Sequence, residues 1–308
     1  QNCKQIFNNW SSIKCFSNSN IKNKMMGLVA ILGSGESGRG AAILAKKVGY
    51  RVFVSDSNKI INKTKLLFKK LSIDYEENCH SIEKIIKAEK IIKSPGIDKK
   101  SDLIVDIKKR GIDVISEIEF GFLQTDSKII GVTGSNGKTT TATMIYHILK
   151  KSGLKVALAG NIGKSFSESI AEQNHKIYVL EISSFQLDNI MDFSADISVI
   201  TSISPDHLDR YNFNFDEYIS AKLRLTLNQS INQFLIFNSD DKELKKAVKK
   251  HAQNVTQFPY GFNSPKGDLT TTVKKKLIII KEKKNINMYD TLNFSLKGRH
   301  NLLNAMAA

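Results

Sequence analysis

The segment 131–140 limits most strongly what this chain can fold into, and it reads Gly-Val-Thr-Gly-Ser-Asn-Gly-Lys-Thr-Thr. The apolar run Lys128-Ile129-Ile130 precedes it, and a helical pattern follows at residues 142–149. A glycine-rich turn between a strand and a helix lets backbone N–H groups close on phosphate oxygens at the positive end of the helix. In such a loop Lys138 reaches the β- and γ-phosphates and the Thr139 hydroxyl binds magnesium. We therefore predict a nucleoside triphosphate site.

This loop departs from the strict pattern G-x-x-x-x-G-K-[ST], because Val132 stands where the first glycine belongs. A glycine-rich turn with a surface lysine is the alternative. The strand–turn–helix setting favours phosphate binding, and the predicted ATP-binding residues of the loop are Gly134, Ser135, Asn136, Gly137, Lys138, Thr139 and Thr140.

The bulk properties restrict the class of protein. With 308 residues the chain has room for two domains, and 41% hydrophobic and 25% charged residues are typical of a soluble globular protein without a membrane span. Three cysteines without metal-ligand spacing, and no secretory signal, favour a reducing cytoplasm. The net charge of +16 comes from lysines spread along the whole chain, so we expect no nucleic-acid partner.

The first half reads as a Rossmann-like parallel sheet. The strand 28–32 runs into Gly33, Gly35 and Gly38 in the pattern G-x-G-x-x-G, and a second strand ends at Asp56. This predicts binding of a dinucleotide such as NAD, or of any nucleotide diphosphate. Asp56 contacts a ribose or uracil, or it caps a helix from Ser57 onward. We place an irregular leader at 1–24, this domain at 25–125 and a second domain at 126–308.

The second half alternates strands and helices, with polar residues at strand ends. Glu181 follows an apolar strand and is expected to bind metal rather than cap a helix, since the next residues do not read as a stable helix start. His207 either ligates a metal, acts as a base or caps a turn. Lys222, on a helix from Phe215 to about Asn228, is by default solvated.

The β-rich end predicts antiparallel strands at 277–280 and 291–295, appended to a parallel sheet. A helix follows to Ala308. The chain opens with Gln1 and stops inside that helix, so we interpret it as a fragment.

Together these motifs resemble the Mur ligases, the ATP-dependent amide-forming enzymes of peptidoglycan synthesis. The late-glycine phosphate loop is typical of that family. The sequences of the motifs at 181–187 and 204–211 resemble those of the D-glutamate-adding members of the family. The stretches that carry the resemblance are 33–38, 94–97, 132–140, 160–163, 181–187, 204–211, 221–224 and 298–304.

The resemblance implies roles for particular residues. The Gly33–Gly38 turn would hold the UDP end of UDP-N-acetylmuramoyl-L-alanine, with Asp56 and Ser57 near the uridine. The sugar and lactyl-alanine side would be faced by Ser94, Asn161, Ser183 and His207. The adenine side of ATP would contact Asn301 and Asn304. One magnesium ion would be bound by Thr139 and Glu181, and a second by His207 and Lys222, the latter carbamylated.

The implied reaction is phosphoryl transfer from ATP to a carboxylate, followed by attack of the amine of D-glutamate on the acyl phosphate. Lys138, His207 and Lys222 would be its catalytic residues. Members of this family also have a C-terminal domain that binds the amino acid, and no motif of it is present here, so the chain alone is expected to be inactive. The protein is expected to be a monomer. The alternatives are a sister or folylpolyglutamate-type ligase, a non-catalytic nucleotide-binding module, and an NAD-dependent oxidoreductase.

Overall fold

A computed structural model describes residues 26–263, 269–274, 277–282, 285–291 and 294–308. The chain forms two compact units. The first runs up to Ser127 and also takes in His147–Ala157 and Lys164–Ile177. The second comprises Lys128–Tyr146, Leu158–Gly163 and Tyr178–Ala308. The predicted leader at 1–24 lies outside the described residues.

The first unit contains a five-stranded parallel sheet in the order β3-β2-β1-β4-β5. Its strands are β1 (Met26–Leu32), β2 (Tyr50–Ser55), β3 (Asp74–Glu76), β4 (Lys90–Lys93) and β5 (Val114–Ser116). The helices between and after them are α1 (Glu36–Lys47), α2 (Asn62–Lys70), α3 (Ile82–Ile85), α4 (Asp102–Lys109) and α5 (Glu117–Phe122). This confirms the Rossmann-like parallel sheet.

The central strand β1 is apolar on both faces because helices cover both sides of such a sheet. Val29, Ala30, Ile31 and Leu32 are all fully buried. The direction of the sheet order reverses at β1, between β2 and β4, and open parallel sheets bind ligands at the carboxyl ends of strands at such a point. The Gly33–Gly38 turn therefore stands where a ligand is expected.

The second unit contains most of a nine-stranded sheet in the order β14-β13-β12-β11-β10-β9-β6-β8-β7. Its strands are β6 (Lys128–Thr133), β7 (Val156–Gly160), β8 (Ile177–Glu181), β9 (Ile197–Ile200), β10 (Phe234–Asn238), β11 (Thr256–Tyr260), β12 (Leu269–Lys274), β13 (Leu277–Glu282) and β14 (Asn285–Asp290). The β6–β9, β9–β10 and β10–β11 pairs are parallel, and β12, β13 and β14 pair antiparallel. The mixed sheet with appended antiparallel strands is confirmed.

The helices from Lys138 onward alternate with the strands up to β11, and the helix Phe166–Glu172 among them belongs to the first unit. They are α6 (Lys138–Lys151), α7 (Phe166–Glu172), α8 (Ser184–Leu187), α9 (Phe215–Leu223), α10 (Lys242–His251) and α11 (Arg299–Ala307), with 3₁₀ turns at Leu208–Tyr211 and Arg224–Thr226. By length and apolarity, none of the helices within the described ranges is suited to cross a membrane.

Three boundaries differ from the sequence predictions. The helix expected from Ser57 begins only at Asn62, because a turn closed by Asp56 comes first. The helix expected to reach about Asn228 tightens into a 3₁₀ turn after Leu223. The last strand ends at Asp290, so Thr291, Phe294 and Ser295 are not in a strand, and residues 292–293 lie outside the described part.

Helix α1 packs closely against the turn that follows strand β1, so we expect an alanine at this point of the helix to destabilise the protein. A Cβ on Gly38 would lie 1.8 Å from the carbonyl oxygen of Gly33. Gly38→Ala should therefore lower the free energy of unfolding by about 1–3 kcal/mol, although alanine normally stabilises a helix relative to glycine. Denaturant unfolding measures this. Gly96→Ala, where an added Cβ meets nothing within 4 Å, is the control; equal stability of the two variants would contradict the prediction.

Candidate functional site

The phosphate-loop residues lie between β6 and α6, as a strand–turn–helix. Gly134 and Gly137 have φ angles of +148° and +85°, which other residues rarely adopt. Space is also short there: an added Cβ would lie 2.1 Å from Thr201 Oγ1 at Gly134 and 2.4 Å from Asn304 Oδ1 at Gly137. Both glycines are needed for the loop to close at the helix N-terminus.

The loop is held in shape by its neighbours after β9. The Ser135 N–H donates to the Ser202 carbonyl at 2.8 Å, and the Ser135 hydroxyl donates to the Ser204 carbonyl at 2.9 Å. The Asn136 N–H donates to Ser202 Oγ at 3.0 Å. Because its shape is supported from outside, the loop can keep its conformation when it surrounds an anion.

Two lysine ammonium groups meet at one carbonyl oxygen of the loop. Lys138 Nζ donates to the Gly134 and Ser135 carbonyls, both at 2.9 Å. Lys222 Nζ donates to the same Gly134 carbonyl at 2.9 Å. Two positive groups at one oxygen make this an electropositive point suited to phosphate oxygens.

Lys222 is buried, which corrects the default expectation of a solvated lysine. Its Nζ lies 4.5 Å from the centre of the Tyr218 ring, which attracts a cation. Burial, which disfavours the ammonium, and then the nearby Lys138 lower the pKa of Lys222 to about 7, against the attraction of Asp206. A substantial fraction of this amine is therefore uncharged near neutral pH.

Glu181 ends β8 and is buried beside the first turn of α6. Its Oε2 accepts from the Thr139 hydroxyl at 2.7 Å, and its Oε1 accepts from Asn161 Nδ2 at 3.0 Å. The hydroxyl and the carboxylate are hard oxygen ligands of the kind magnesium prefers. The donor set at Thr139 and Glu181 therefore fits a magnesium ion.

The residues after Glu181 do begin a helix, contrary to the sequence prediction. Ser183 accepts from the Gln186 N–H, and the Gln186 side chain accepts from the Ser183 N–H, so the two form a capping box. Helix α8 thus has its own cap in Ser183. The capping alternative for Glu181 is excluded, and its carboxylate serves the loop instead.

His207 makes its ring and charge contacts with Phe185 and Asp206. It has a left-handed φ of +50° and an exposed side chain, and its ring packs against Phe185 with centroids 5.1 Å apart. Its Nε2 lies 3.5 Å from Asp206 Oδ2. The imidazole makes no capping hydrogen bond to the 3₁₀ turn that follows. Among the described residues no hydrogen bond or ion pair joins His207 to Glu181 or Lys222, and no group of three or more His, Cys, Asp or Glu could hold a metal.

Asn301 and Asn304 lie on α11, one turn apart. Asn304 is buried, and its Oδ1 accepts from the Thr141 hydroxyl at 3.4 Å. Asn301 Nδ2 donates to the Lys297 carbonyl at 2.8 Å. The structure therefore gathers Lys138, Thr139, Asn161, Glu181, Lys222 and Asn304 around one loop.

A separate pocket of about 460 Å³ lies within the first unit, at the switch point of the sheet. Three segments line it: the turn after β1, the turn after β2 with His80, and the turn after β4. These residues are Gly33, Gly35, Glu36, Ser37, Asp56, Ser57, Asn58, His80, Ser94, Pro95, Gly96 and Ile97. The Ser94 hydroxyl oxygen is buried and has no hydrogen-bond partner among the described residues, which leaves it for a ligand.

Asp56 holds the walls of this pocket together. Its Oδ2 accepts from both the N–H and the hydroxyl of Ser34 at 2.7 Å, and its Oδ1 accepts from the Asn58 N–H at 2.8 Å. Partial burial opposes its ionisation, but these hydrogen bonds outweigh burial and lower the pKa of Asp56. The Asp56 carboxylate is thus ionised and fixes the Gly33–Gly38 turn to the turn after β2.

Sequence reasoning missed several residues of both sites. Tyr218 and Thr201 contact the phosphate loop, and His80 lines the pocket. Thr201 directly follows the apolar strand β9, so its position at a strand end was the one local signal; Tyr218 and His80 carried none. A larger cavity of about 840 Å³, lined by residues of α10, β10 and β11, contains none of the predicted site residues.

Fold and site together define a two-unit α/β protein with a glycine-rich loop of the phosphate-binding type. Residues 132–308 match the model of the Mur ligase middle domain, and residues 28–103 match that of the MurD N-terminal domain. The chain belongs to the Mur ligase family.

Close relatives carry a single description, UDP-N-acetylmuramoylalanine--D-glutamate ligase. The protein from Bacteroides fragilis is 45% identical over 280 residues, and that from Bacteroides thetaiotaomicron 46%; each match covers 91% of this chain and 63% of the relative. The chain thus spans less than two thirds of the length of these curated relatives.

Solved structures agree on the fold. UDP-N-acetylmuramate:L-alanyl-gamma-D-glutamyl-meso-diaminopimelate ligase from Neisseria meningitides superposes with a TM-score of 0.62 at 19% identity, over 92% of this chain and 91% of that one. UDP-N-acetylmuramate-alanine ligase from Thermotoga maritima gives 0.53 at 20% identity, over 91% and 63%.

The burial of Lys222 predicts a pH-dependent effect on stability. Its folded-state pKa lies below the ordinary 10.5, so the penalty for its charge is full below about pH 7 and disappears above pH 10.5. Lys222→Met should therefore raise the free energy of unfolding more at about pH 6 than at about pH 9. Chemical denaturation in bicarbonate-free buffer measures it. The exposed Lys246→Met serves as control, and an equal gain at both pH values would refute the prediction.

Proposed function

We propose that this chain supplies the nucleotide-binding and UDP-substrate-binding parts of an ATP-dependent ligase that adds D-glutamate to UDP-N-acetylmuramoyl-L-alanine. Residues 25–125 are the UDP-substrate domain and residues 126–308 the ATP domain. The observation that carries the proposal is the cluster of Lys138, Lys222 and the Thr139–Glu181 pair around one glycine-rich loop. The description shared by relatives at 41–46% identity supports the choice of substrates.

The chemistry proceeds in two displacements. An oxygen of the alanyl carboxylate attacks the γ-phosphorus of ATP in line, the bond to the β,γ-bridging oxygen breaks, and ADP leaves. The amine of D-glutamate then attacks the acyl phosphate carbon, loses a proton, and phosphate departs. Lys138 and the loop N–H groups stabilise the charge that develops on the transferred phosphoryl group.

Magnesium, when bound, acts as a Lewis acid toward the phosphate oxygens. Thr139 and Glu181 would hold one ion through their oxygens. His207 and Lys222 would serve a second, and Lys222 becomes an oxygen ligand only after modification. Its uncharged amine attacks the carbon of CO₂, a C–N bond forms, a proton leaves, and the product is an anionic carbamate. The lowered pKa of Lys222 supports this step, because an ammonium cannot attack.

The remaining residues position the substrates. The Gly33–Gly38 turn would bind the diphosphate of the UDP end at the N-terminus of α1, with Asp56 and Ser57 on the nucleoside side. Ser94, Asn161, Ser183 and His207 would face the sugar and its lactyl-alanine. Asn301 and Asn304 would contact the adenine side of ATP.

We further propose a monomer that works in the cytoplasm, where its three substrates, UDP-N-acetylmuramoyl-L-alanine, ATP and D-glutamate, would be available. No nucleic-acid partner is proposed.

Amino-acid choice separates this function from that of a sister ligase. The complete protein, given ATP, magnesium, UDP-N-acetylmuramoyl-L-alanine and a panel of amino acids, should form a product of the mass expected for D-glutamate addition, detected by mass spectrometry. L-alanine, diaminopimelate and L-glutamate should give no product. Product with another amino acid would assign a sister reaction, and nucleotide binding without any product would favour a non-catalytic module.

Removing the negative charge of Glu181 should leave the fold intact but impair the reaction. Glu181→Gln keeps the size of the side chain and an oxygen for the Thr139 hydroxyl, yet it lacks the negative charge that strengthens magnesium binding. We expect kcat for phosphate release by the complete protein to fall about 100-fold.

The exposed Glu243→Gln on α10 is the matched control and should retain the parent rate. Thermal unfolding of both variants checks that the loss is not one of stability. A Glu181→Gln enzyme that works at the parent rate would remove Glu181 from the proposed site.

A further inference from the structure

Tyr218 lies inside the second unit, and nothing in the proposed reaction uses it. It stands on α9, one turn before Lys222, and its side chain is fully buried. Its hydroxyl oxygen lies 3.0 Å from Ser135 Oγ in the phosphate loop, and its ring centre lies 4.5 Å from Lys222 Nζ. One side chain therefore contacts both the loop that would bind ATP and the lysine that would serve the second magnesium ion.

The direction of the hydrogen bond between Tyr218 and Ser135 follows from a count of protons. The Ser135 hydroxyl donates its single proton to the Ser204 carbonyl at 2.9 Å, and a carbonyl can only accept. Ser135 Oγ is also the one acceptor within reach of the Tyr218 hydroxyl among the described residues. If Ser135 donated to Tyr218 instead, the buried phenol proton would be left without an acceptor, which is costly. Tyr218 is therefore the donor.

Ser135 Oγ thus joins three segments of the second unit. It belongs to the phosphate loop, it exchanges two hydrogen bonds with the backbone of Ser204, both at 2.9 Å, and it accepts from Tyr218. Ser204 lies three residues before His207, and Tyr218 lies four residues before Lys222. The segment that leads to His207 and the helix that carries Lys222 are therefore attached to the phosphate loop at the same oxygen.

The ring and the hydroxyl of Tyr218 make different contacts. The ring packs edge-on against Tyr211, with centroids 5.5 Å apart, and stacks on Phe215 at 6.3 Å. These contacts and the one with Lys222 Nζ need only an aromatic ring, so a phenylalanine would keep them. Removal of the hydroxyl alone therefore breaks the attachment of α9 to the loop and leaves the packing in place.

We propose that Tyr218 is a positioning residue for transfer of the γ-phosphoryl group: its hydroxyl holds α9 against Ser135 and so sets the distance between Lys222 and the phosphates in the loop. This inference rests on the proposed ligase function. ATP itself would be bound by the loop and Lys138, and Ser202 supports the loop independently of Tyr218. The hydroxyl therefore matters for the rate of transfer and not for the affinity for ATP.

Tyr218→Phe in the complete protein tests the inference. We expect kcat for product formation to fall about tenfold, because a small misplacement of a reacting group lowers the rate. KM for ATP should stay within about twofold of the parent value, which is the pattern of an interaction that acts in the transition state. Thermal unfolding identifies an assay temperature at which both proteins are fully folded, so a loss of stability alone does not change the rate there.

Tyr260→Phe is the matched control. Tyr260 is also buried, and its hydroxyl donates to the Thr201 carbonyl at 3.3 Å. Among the described residues no hydrogen bond or ring contact joins Tyr260 to Lys222, so this variant should keep the parent kcat even if it is less stable. An equal fall of kcat in both variants would mean that loss of any buried tyrosine hydroxyl is sufficient, and it would overturn the inference.

A double-mutant cycle with Ser135→Ala identifies the partner through which the hydroxyl acts. Ser135→Ala removes the oxygen that accepts from Tyr218. In that background Tyr218→Phe should lower kcat by less than about twofold, because the contact is already lost. A further tenfold fall would show that the hydroxyl acts elsewhere and would overturn the inference.

Calorimetric titration of the complete protein with ATP and magnesium, in the absence of the other two substrates, measures binding without turnover. The parent and Tyr218→Phe should bind ATP equally, within about twofold. Weaker binding by the variant in proportion to its lost rate would place Tyr218 in ATP binding and overturn the inference, as would an unchanged kcat. If the parent protein itself binds no ATP or forms no product, the proposed function fails and the inference fails with it.

Discussion

Two ammonium groups at the carbonyl of Gly134 are the interaction on which the second unit depends. Lys138 and Lys222 both donate to that oxygen, and one carbonyl dipole cannot balance two ammonium charges when one of them, on Lys222, is buried. The structure relieves this by holding Lys222 against the Tyr218 ring and by lowering its pKa to about 7. An anion placed between the two amines would relieve it further. The loop therefore suits an anion, and the lowered pKa of Lys222 follows first from burial and then from the nearby Lys138.

The carboxylates of the two units differ in how they are hydrogen-bonded. Glu181 is joined to Thr139 and Asn161, and its oxygens lie where α6 begins, so it can exchange those partners for a metal. Asp56 and Glu76 are each held by several backbone and side-chain donors, which lower their pKa values, and Asp56 is a fixed part of the pocket wall. Each of these two carboxylates accepts more hydrogen bonds than that of Glu181 does.

The sequence predicted the strand ends well because parallel sheets leave a local signal. Apolar runs such as 28–32 mark buried strands, and the glycines and acids that follow them mark the ligand edge. Two predictions from the sequence were wrong. Lys222 was expected to be solvated, and the residues after Glu181, where Ser183 caps α8, were not expected to start a helix. Burial of Lys222 arises from packing against Tyr218 and Gly134, which lies 88 residues away. The capping box of α8 depends on the exchange of two hydrogen bonds between Ser183 and Gln186, which helix propensity alone does not reveal.

The sequence by itself determined the family, the parallel sheet of the first unit, the mixed second sheet and the order of the motifs, because glycine spacing and apolar runs are local properties that the chain keeps in any context. Only the tertiary structure decided which side chains carry charge and which atoms can meet a ligand. The lowered pKa of Lys222 follows from neighbours distant in the chain, since burial disfavours its ammonium and Lys138 repels it. This burial exists only once the sheets have formed.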